Sequence, residues 1–536
     1  MNTSGWVFSP ARSGAGKGFA VATVAVWTLL VLALMSRHVF WRDEVRALSL
    51  ALQGEGMLAM LRGLQGEGHP VIWYLLLRAA HTVVASPVVL PAVSFLVALA
   101  SACLLTRHSP FGWVLIAGVL LGQAGLYEYA VVARNYGIGM LAMFAFATLY
   151  RRYRDRGIAL GLLLLVLANS SAHAVLLAGA FALFWMLDLA WQRPPAPARA
   201  WRNFALNAAL AALGAALCVA TIYPPFNDAA QIARPEGGTA AAMAKALLLP
   251  SSSFGEVSGY RLFSDLLEPL SGEDQPRTLA LYILTSVLMV GSALGLVRRP
   301  AALVAVWVAL FGFCVFFAFL YPGSYRHQAL WLMFLVSLYW IVWREAAPSP
   351  GGFALRRRVG EMGAALFVAI VLLQVPGGLF KLAQLAQADA PESRSRDFGR
   401  LMARHPELRD ATILGDPDYL VEPLAYYVAN RTYLMREQRF GKVVVFTRRA
   451  RQSLTLDDIL ADAHRVRDST GQPVVILLAE RLDRSAPART ITEGYSWTLS
   501  TSPEQVERFL AATRRIERFA PACCSDESFD VYVLDR

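Results

Sequence analysis

Charge is what this sequence has least of. Only 17% of its 536 residues are Asp, Glu, Lys or Arg, where a soluble chain carries about 25%. A disordered chain needs more charge and less apolar content than this, so that class is excluded. Cysteine is scarce too, at five residues. Cys103, Cys218 and Cys314 lie inside apolar runs, and Cys523 and Cys524 are sequence neighbours that pair poorly with each other, so no disulfide framework is expected. Collagen-like composition is absent. There is no HExxH or paired-cysteine spacing for a metal, no internal repeat, and no glycine fingerprint for a nucleotide. The stretch Ser13-Gly14-Ala15-Gly16-Lys17-Gly18 resembles a phosphate loop, but Ala11 stands where its leading glycine belongs and Gly18 where its Ser/Thr belongs. It reads as a flexible basic tail.

What the sequence does have is apolar length: 56% hydrophobic residues and a mean hydropathy of +0.44. Length alone would suggest about three or four soluble domains, but this composition indicates a polytopic membrane protein. Runs suited to the roughly 30 Å hydrocarbon core fall at about 19–38, 87–105, 111–129, 136–150, 158–172, 174–190, 203–222, 278–297, 301–320, 328–343 and 361–379. About eleven spans are therefore expected. No convincing cleavage site follows the first, so it reads as an anchor.

The net charge of +11 is a topology signal, not a nucleic-acid footprint. Arg12 and Lys17 precede the first span, which places the N-terminus in the cytoplasm. Arg107, Arg151 to Arg154, Arg193 to Arg202, Arg298-Arg299, and Arg344 with Arg356 to Arg358 then share that side. Counting His69 to Ala85 as a span would invert every later loop, so it is expected as an interfacial or re-entrant helix on the outer face. The outer face receives loops 39–86 and 223–277 and everything after about 380. Residues 1–380 thus form the membrane domain and 381–536 a periplasmic domain. In the latter, Ala411 to Leu414, Lys442 to Phe446, Val474 to Leu478 and Phe529 to Leu534 read as strands. Leu456 to Arg467 and Pro503 to Ile516 read as helices, the second opened by a capping box from Ser502 to Gln505. Alternating strands and helices imply a small α/β domain with no chemistry of its own assigned.

Polar side chains gather at the expected outer turns. Asp43-Glu44, followed by Arg46, comes directly after the first span. Acidic residues suit a helix start, but a carboxylate at the membrane surface can also accept a proton from an attacking hydroxyl. Glu128 and Arg134 stand among Tyr127, Tyr129 and Tyr136 at a second turn, and Tyr325-Arg326-His327 repeats arginine beside aromatics at a third. Such arginines either snorkel to headgroups or bind a phosphate by forked hydrogen bonds. His69 and His173 sit at outer turns, where a lone histidine is more often a satisfied polar contact than a ligand. The loop 223–277 carries Lys245 on an amphipathic stretch and Arg261 beside Tyr260. It is either a lid over an outer cavity or a surface helix.

Asp43-Glu44-Val45-Arg46-Ala47 after the first span resembles the first outer loop of membrane glycosyltransferases with the GT-C fold. That group includes the lipid A aminoarabinose transferase, the protein O-mannosyltransferases and the lipopolysaccharide galacturonosyltransferase-like proteins. His69-Pro70-Val71-Ile72-Trp73-Tyr74-Leu75 is similar to the family's His-Pro-Pro-Leu-Tyr-Tyr-Leu, and Ala133-Arg134-Asn135-Tyr136 to its Ala-Arg-Pro-Tyr. Val71 and Asn135 each replace a proline of that pattern. The resemblance covers roughly residues 19–380 and rests on the order of these motifs along the chain.

What it implies is a periplasmic-side, inverting transfer of a sugar from a polyprenyl-phosphate donor to a lipid, glycan or protein acceptor in a Gram-negative inner membrane. Asp43 would act as general base and Glu44 would hold or tune the site. Arg134 and Arg326 with Arg46 would bind the donor phosphate. His69, Glu128, Tyr136, His173, Lys245, Arg261, Tyr325 and His327 are candidate substrate-binding residues. No cofactor is required, and a divalent metal is allowed but not indicated. Two other classes compete. One is a polysaccharide polymerase or ligase using polyprenyl-diphosphate glycans. The other is a transporter, which would place ionisable residues at the bilayer midplane instead of its edge.

Overall fold

The computed structural model describes residues 14–224, 239–271, 275–345, 354–385, 391–523 and 525–534. The N-terminal part is a helical bundle. It opens with α1 (Gly14–Arg37) and the short helices α2 (Arg42–Ala51), α3 (Met57–Leu64) and α4 (Ile72–Val83). Next come α5 (Val89–His108), α6 (Trp113–Leu121), α7 (Tyr136–Tyr153), α8 (Ala159–Ala168), α9 (Ala172–Ala190) and α10 (Ala198–Ile222). The remainder are α11 (Thr239–Leu248), α12 (Tyr260–Ser271), α13 (Gln275–Ser292), α14 (Pro300–Phe319), α15 (Tyr325–Glu345), α16 (Ala354–Leu372) and α17 (Val375–Gln384).

Seven helices among the described residues are long and apolar enough to cross a membrane. The other expected spans differ for identifiable reasons. The segments 136–150 and 328–343 lie in α7 and α15, whose ends carry Arg151, Arg152, Arg326 and Arg344. The segment 158–172 holds only the 10-residue α8, about 15 Å long. The segment 111–129 is interrupted: α6 stops at Leu121 and a π-helical turn, Ala124–Glu128, follows. The interruption is matched between α16 and α17, where the Gln374 carbonyl accepts from the Gln123 amide at 3.0 Å. Gly378 permits the crossing, since a Cβ there would lie 2.0 Å from the Leu121 oxygen. The helix α4 has 12 residues, about 18 Å, too short to traverse the hydrocarbon core.

Helix α1 is apolar all round and leaves Phe19, Val26 and Leu29 exposed on the outside of the bundle. By contrast α15 is buried continuously from His327 to Val342 and forms the central post. Its first turn, with Arg326 and His327, therefore sits in the middle of one end of the bundle. At the other end, Arg299 grips Asp188 through two hydrogen bonds of 2.7 Å, Tyr150 donates to the same carboxylate at 3.0 Å, and Glu345 takes the remaining arm of Arg299. This ties α7, α9, α14 and α15 together. Asp188→Ala leaves Arg299 buried with one carboxylate fewer, which costs about 3 kcal/mol. The expected outcome is a lower thermal midpoint in detergent, largely restored in Asp188→Leu/Arg299→Met. An unchanged midpoint in the single variant would remove this role.

The C-terminal part is α/β. It contains α18 (Ser395–Arg404), α19 (Leu456–Thr470) and α20 (Pro503–Ala512). The strands are β1 (Thr412–Asp416), β2 (Thr432–Leu434), β3 (Arg439–Phe440), β4 (Ser453–Thr455), β5 (Val474–Leu478), β6 (Arg489–Thr492), β7 (Thr498–Thr501), β8 (Thr513–Phe519) and β9 (Phe529–Leu534). Six form a mixed sheet in the order β3-β2-β1-β5-β9-β8, and β4-β7-β6 form a smaller one. The central parallel pair β1 and β5 is buried on both faces, and β5 (Val474-Val475-Ile476-Leu477-Leu478) is apolar throughout, as such a strand requires. Alternate side chains feed two cores: Val474, Ile476 and Leu478 pack on α19, and Val475 and Leu477 on the side of Phe398 in α18.

The Ser502–Gln505 capping box is present. Its helix ends at Ala512, and residues 513–516 instead belong to β8, where 513–515 pair with β9 and Ile516 falls at a register shift. The run 442–446 is not a strand. Its backbone groups are taken by side chains, the Val444 amide by Glu422, the Val444 carbonyl by Arg46 and the Val445 amide by Glu437, and Phe446 has φ +43°. Cys103, Cys218 and Cys314 are free thiols. Cys523 is disulfide-bonded, contrary to the expectation from sequence adjacency, while Cys524 lies outside the described residues.

Candidate active site

A cavity of about 540 Å³ opens between the bundle end and the C-terminal part. Its lining includes the first residues of α7 and α9 (Tyr136, His173), the last turn of α14 (Phe316) and the start of α15 (Arg326, His327). Arg151 and Arg152, Asp188, Arg299 and Arg344 terminate these same helices at the opposite end.

The centre of the cavity is the start of α2. A helix forms there because Glu44, at its third position, accepts from the Trp41 amide while the Glu44 amide bonds the Trp41 carbonyl. Asp43 emerges from that first turn with its side chain 31% exposed, and Oδ2 lies 3.1 Å from Arg134 Nη1. The other arm of Arg134 meets His69 Nε2 at 3.1 Å, so His69 accepts there and carries its proton on Nδ1. Burial and Arg134 push His69 down to about 3, which keeps it neutral. Burial opposes ionisation of Asp43, but Arg134, Arg42 and Arg326 outweigh it and hold the carboxyl well below its usual range.

Arg326 faces the same cavity. Its Nε is 3.4 Å from Glu128, which lies behind it, and its guanidinium stands 5.4 Å over the Trp41 ring. His327 Nδ1 accepts from the Ser324 amide at 3.0 Å, so its Nε2–H donates to the Tyr136 hydroxyl at 2.7 Å, and its ring packs 4.6 Å from His173. His173 Nε2 has no hydrogen-bond partner among the described residues.

Asp43, Arg46, His69, Arg134, Tyr136, His173, Arg326 and His327, distant in sequence, thus share one cavity. Several candidates do other work. Glu44 is fully buried, bound to His38 at 2.9 Å and to the Ala133 amide at 2.6 Å. It fixes the turn that presents Arg134 and does not face the cavity. Arg46 does reach the lining, but Glu67 engages it by two bonds of 2.8 Å and Glu422 by a further short one. Its guanidinium is already satisfied. Tyr325 is buried, donating to Gln374 at 2.9 Å and accepting from the Ala124 amide. Lys245 stands 5.9 Å over the Tyr282 ring, and Arg261 is 69% exposed beside Glu256; neither lines the cavity. Residues 225–238 of the expected lid lie outside the described residues.

Sequence reasoning missed Arg42, Glu67, Glu422, Phe446 and Tyr495. Arg42 had a local signal, its place beside Asp43. Glu422 and Tyr495 had none, because Glu422 meets Arg46 across 376 residues of sequence. The C-terminal part is tied to α2 by that contact and by the Arg42 amide donating to Glu527 at 2.8 Å, and to the segment leading into α2 by Tyr427 OH donating to the Phe40 carbonyl at 3.3 Å. Among the described residues no three His, Cys, Asp or Glu side chains gather as a metal-binding set.

No protein-family model matches the sequence, and none of the curated proteins does. Solved structures similar to it include the following two. Arabinofuranosyltransferase AftD from mycobacteria is 14% identical with a TM-score of 0.38, over 98% of this chain and 42% of that one. The chain thus spans about two fifths of that protein's length. ArnT from Cupriavidus metallidurans, in the apo state, is 10% identical with a TM-score of 0.40, over 97% of this chain and 98% of that one.

Proposed function

We propose that the protein is an inverting, GT-C-type membrane glycosyltransferase that moves a sugar from a polyprenyl-phosphate donor to an envelope acceptor. The observation that carries this reading is the meeting of Asp43 and Arg134 at 3.1 Å, with Arg326 in the same cavity, at the rim of an apolar bundle. A lipid-linked phosphate needs hydrocarbon for its chain and guanidinium groups at the membrane edge for its charge, and this rim supplies both. The basic residues at the opposite helix ends mark the cytoplasmic side. The cavity and the C-terminal part then face the periplasm of an inner membrane.

In the free protein Arg134 suppresses the basicity of Asp43. A donor phosphate that takes the arms of Arg134 removes the strongest of those suppressing charges, and the carboxylate becomes a better base. The acceptor hydroxyl oxygen attacks the anomeric carbon from the face opposite the phosphate, and its proton passes to Asp43. The anomeric C–O bond breaks with its electron pair leaving on the phosphate oxygen, which Arg134 and Arg326 stabilise. The products are an inverted glycoside and polyprenyl phosphate. The two arginines meet the developing charge, so this step calls for no metal; addition of a chelator during turnover tests that point.

The discriminating experiment offers the purified protein polyprenyl-monophosphate and polyprenyl-diphosphate sugars in parallel. Sugar release from the monophosphate is the expected result. Release only from the diphosphate would replace this reading with the polymerase or ligase class, and substrate uptake into proteoliposomes without release would replace it with a transporter.

A further inference from the structure

Part of the cavity wall belongs to the C-terminal part: Glu422, Phe446 and Tyr495. The rings of Phe446 and Tyr495 are stacked with centroids 3.9 Å apart, and Trp497 continues the array 5.3 Å from Phe446. Phe446 and Tyr495 both have left-handed backbones, with φ +43° and +62°. Bulky side chains seldom adopt that region, and strain of this kind persists where surrounding structure enforces it. Here the Glu493 amide donates to the Trp497 carbonyl at 2.7 Å, and Arg436 holds Glu493 at 2.8 Å while lying 4.7 Å over the Trp497 ring. The strained turn at Tyr495 sets that ring at the cavity wall, backed by the buried Phe446, over whose ring Arg46 stands at 5.6 Å.

A second observation comes from Glu422, which is fully buried. Its Oε1 accepts from Arg46 and from the Val444 amide, but Oε2 has no partner among the described residues. A buried acceptor without a donor is costly, and a ligand hydroxyl in the cavity would satisfy it. Tyr495 also lies near the reaction centre. Burial pushes its phenol up, Arg42 opposes that, and Asp43 adds to it.

A wholly apolar chain placed here would leave Glu422 unsatisfied and lie against Arg42 and Glu67. A pyranose ring combines a C–H face for aromatic rings with hydroxyls for a carboxylate. We infer that Phe446, Tyr495 and Glu422 form the acceptor subsite, and that the acceptor group is a hexopyranose residue stacked on the ring pair. This rests on the glycosyltransferase reading above and narrows its acceptor to a carbohydrate.

Saturation-transfer NMR on the full chain in nanodiscs tests it, with methyl β-D-glucopyranoside, methyl β-D-galactopyranoside and methyl α-D-mannopyranoside as probes. Saturation of ring C–H protons of at least one probe is expected, with affinity lowered about ten-fold in Tyr495→Ala, the worth of one good ring contact. Tyr495→Phe keeps the ring and should restore binding, which separates loss of stacking from loss of folding. No saturation of any probe by the wild type, or equal affinity in Tyr495→Ala, overturns the subsite. The two readings fail separately. A protein that binds a probe through Tyr495 but releases no sugar from polyprenyl phosphate loses the reaction and keeps the carbohydrate site. A protein that transfers sugar with an acceptor KM unmoved by Tyr495→Ala keeps the reaction and loses the subsite.

Discussion

Asp43→Asn is expected to slow sugar transfer by about 10²–10⁴-fold, the usual contribution of a positioned general base, with little change in donor binding. The substitution keeps the shape of the side chain and removes the charge paired with Arg134 at 3.1 Å. Arg134 loses its competing anion, so a donor phosphate should bind as well as before or better. Pre-steady-state sugar release and a separate donor-binding titration read the two effects. The wild-type pH profile carries the same argument. In the free protein the Asp43 carboxyl is held well below its usual range, so it is ionised at every pH above about 4, where an ordinary carboxyl titrates. The acid limb of kcat/KM, which reports the free protein, should therefore show no loss from Asp43 above that pH. With donor bound, Arg134 is occupied, the carboxyl pKa rises, and the acid limb of kcat moves to higher pH. Full activity in Asp43→Asn, or identical acid limbs for kcat and kcat/KM, would remove Asp43 from the base role.

The membrane part was legible in the sequence because its signals are local. Apolar runs, arginines at one set of span ends, and the motifs at Asp43, His69, Arg134 and Arg326 can each be read within a few residues, and the structure brings those four side chains to one cavity. The division of labour among them was not legible. Asp43 and Glu44 are adjacent and chemically alike, yet one emerges from the first turn of α2 and the other is buried against His38 and the Ala133 amide. Arg46, like Arg134, is an arginine in an expected outer loop, but its partners Glu67 and Glu422 come from elsewhere in the chain. Such pairings arise from tertiary approach, which no local pattern encodes. The same cause misplaced the run 442–446. Its β-branched residues favour a strand, but Arg46, Glu422 and Glu437 claim its backbone groups before a neighbouring strand can.

That contrast between the two arginines supplies the second large expected effect. Arg134→Ala should lower kcat by about 10²–10³-fold, the cost of deleting one preorganised donor to a developing oxyanion. Arg134→Lys should recover little of it. The two arms of Arg134 reach Asp43 and His69 at 3.1 Å each, a forked geometry that a single ammonium cannot reproduce. Arg46→Ala should behave differently. Its guanidinium joins α2 to Glu67 and to the C-terminal Glu422, so deletion leaves two carboxylates, nearly or fully buried, without their cation and lowers the thermal midpoint. Transfer by the fraction that stays folded should fall far less than in Arg134→Ala. Activity normalised to folded protein, compared across Arg134→Ala, Arg134→Lys and Arg46→Ala, reads the difference directly. Equal normalised losses at Arg134 and Arg46 would mean that the donor phosphate sits between them, closer to the C-terminal wall than to Arg326, and the leaving group would then have to be placed against Glu67 and Glu422, where two carboxylates already oppose it.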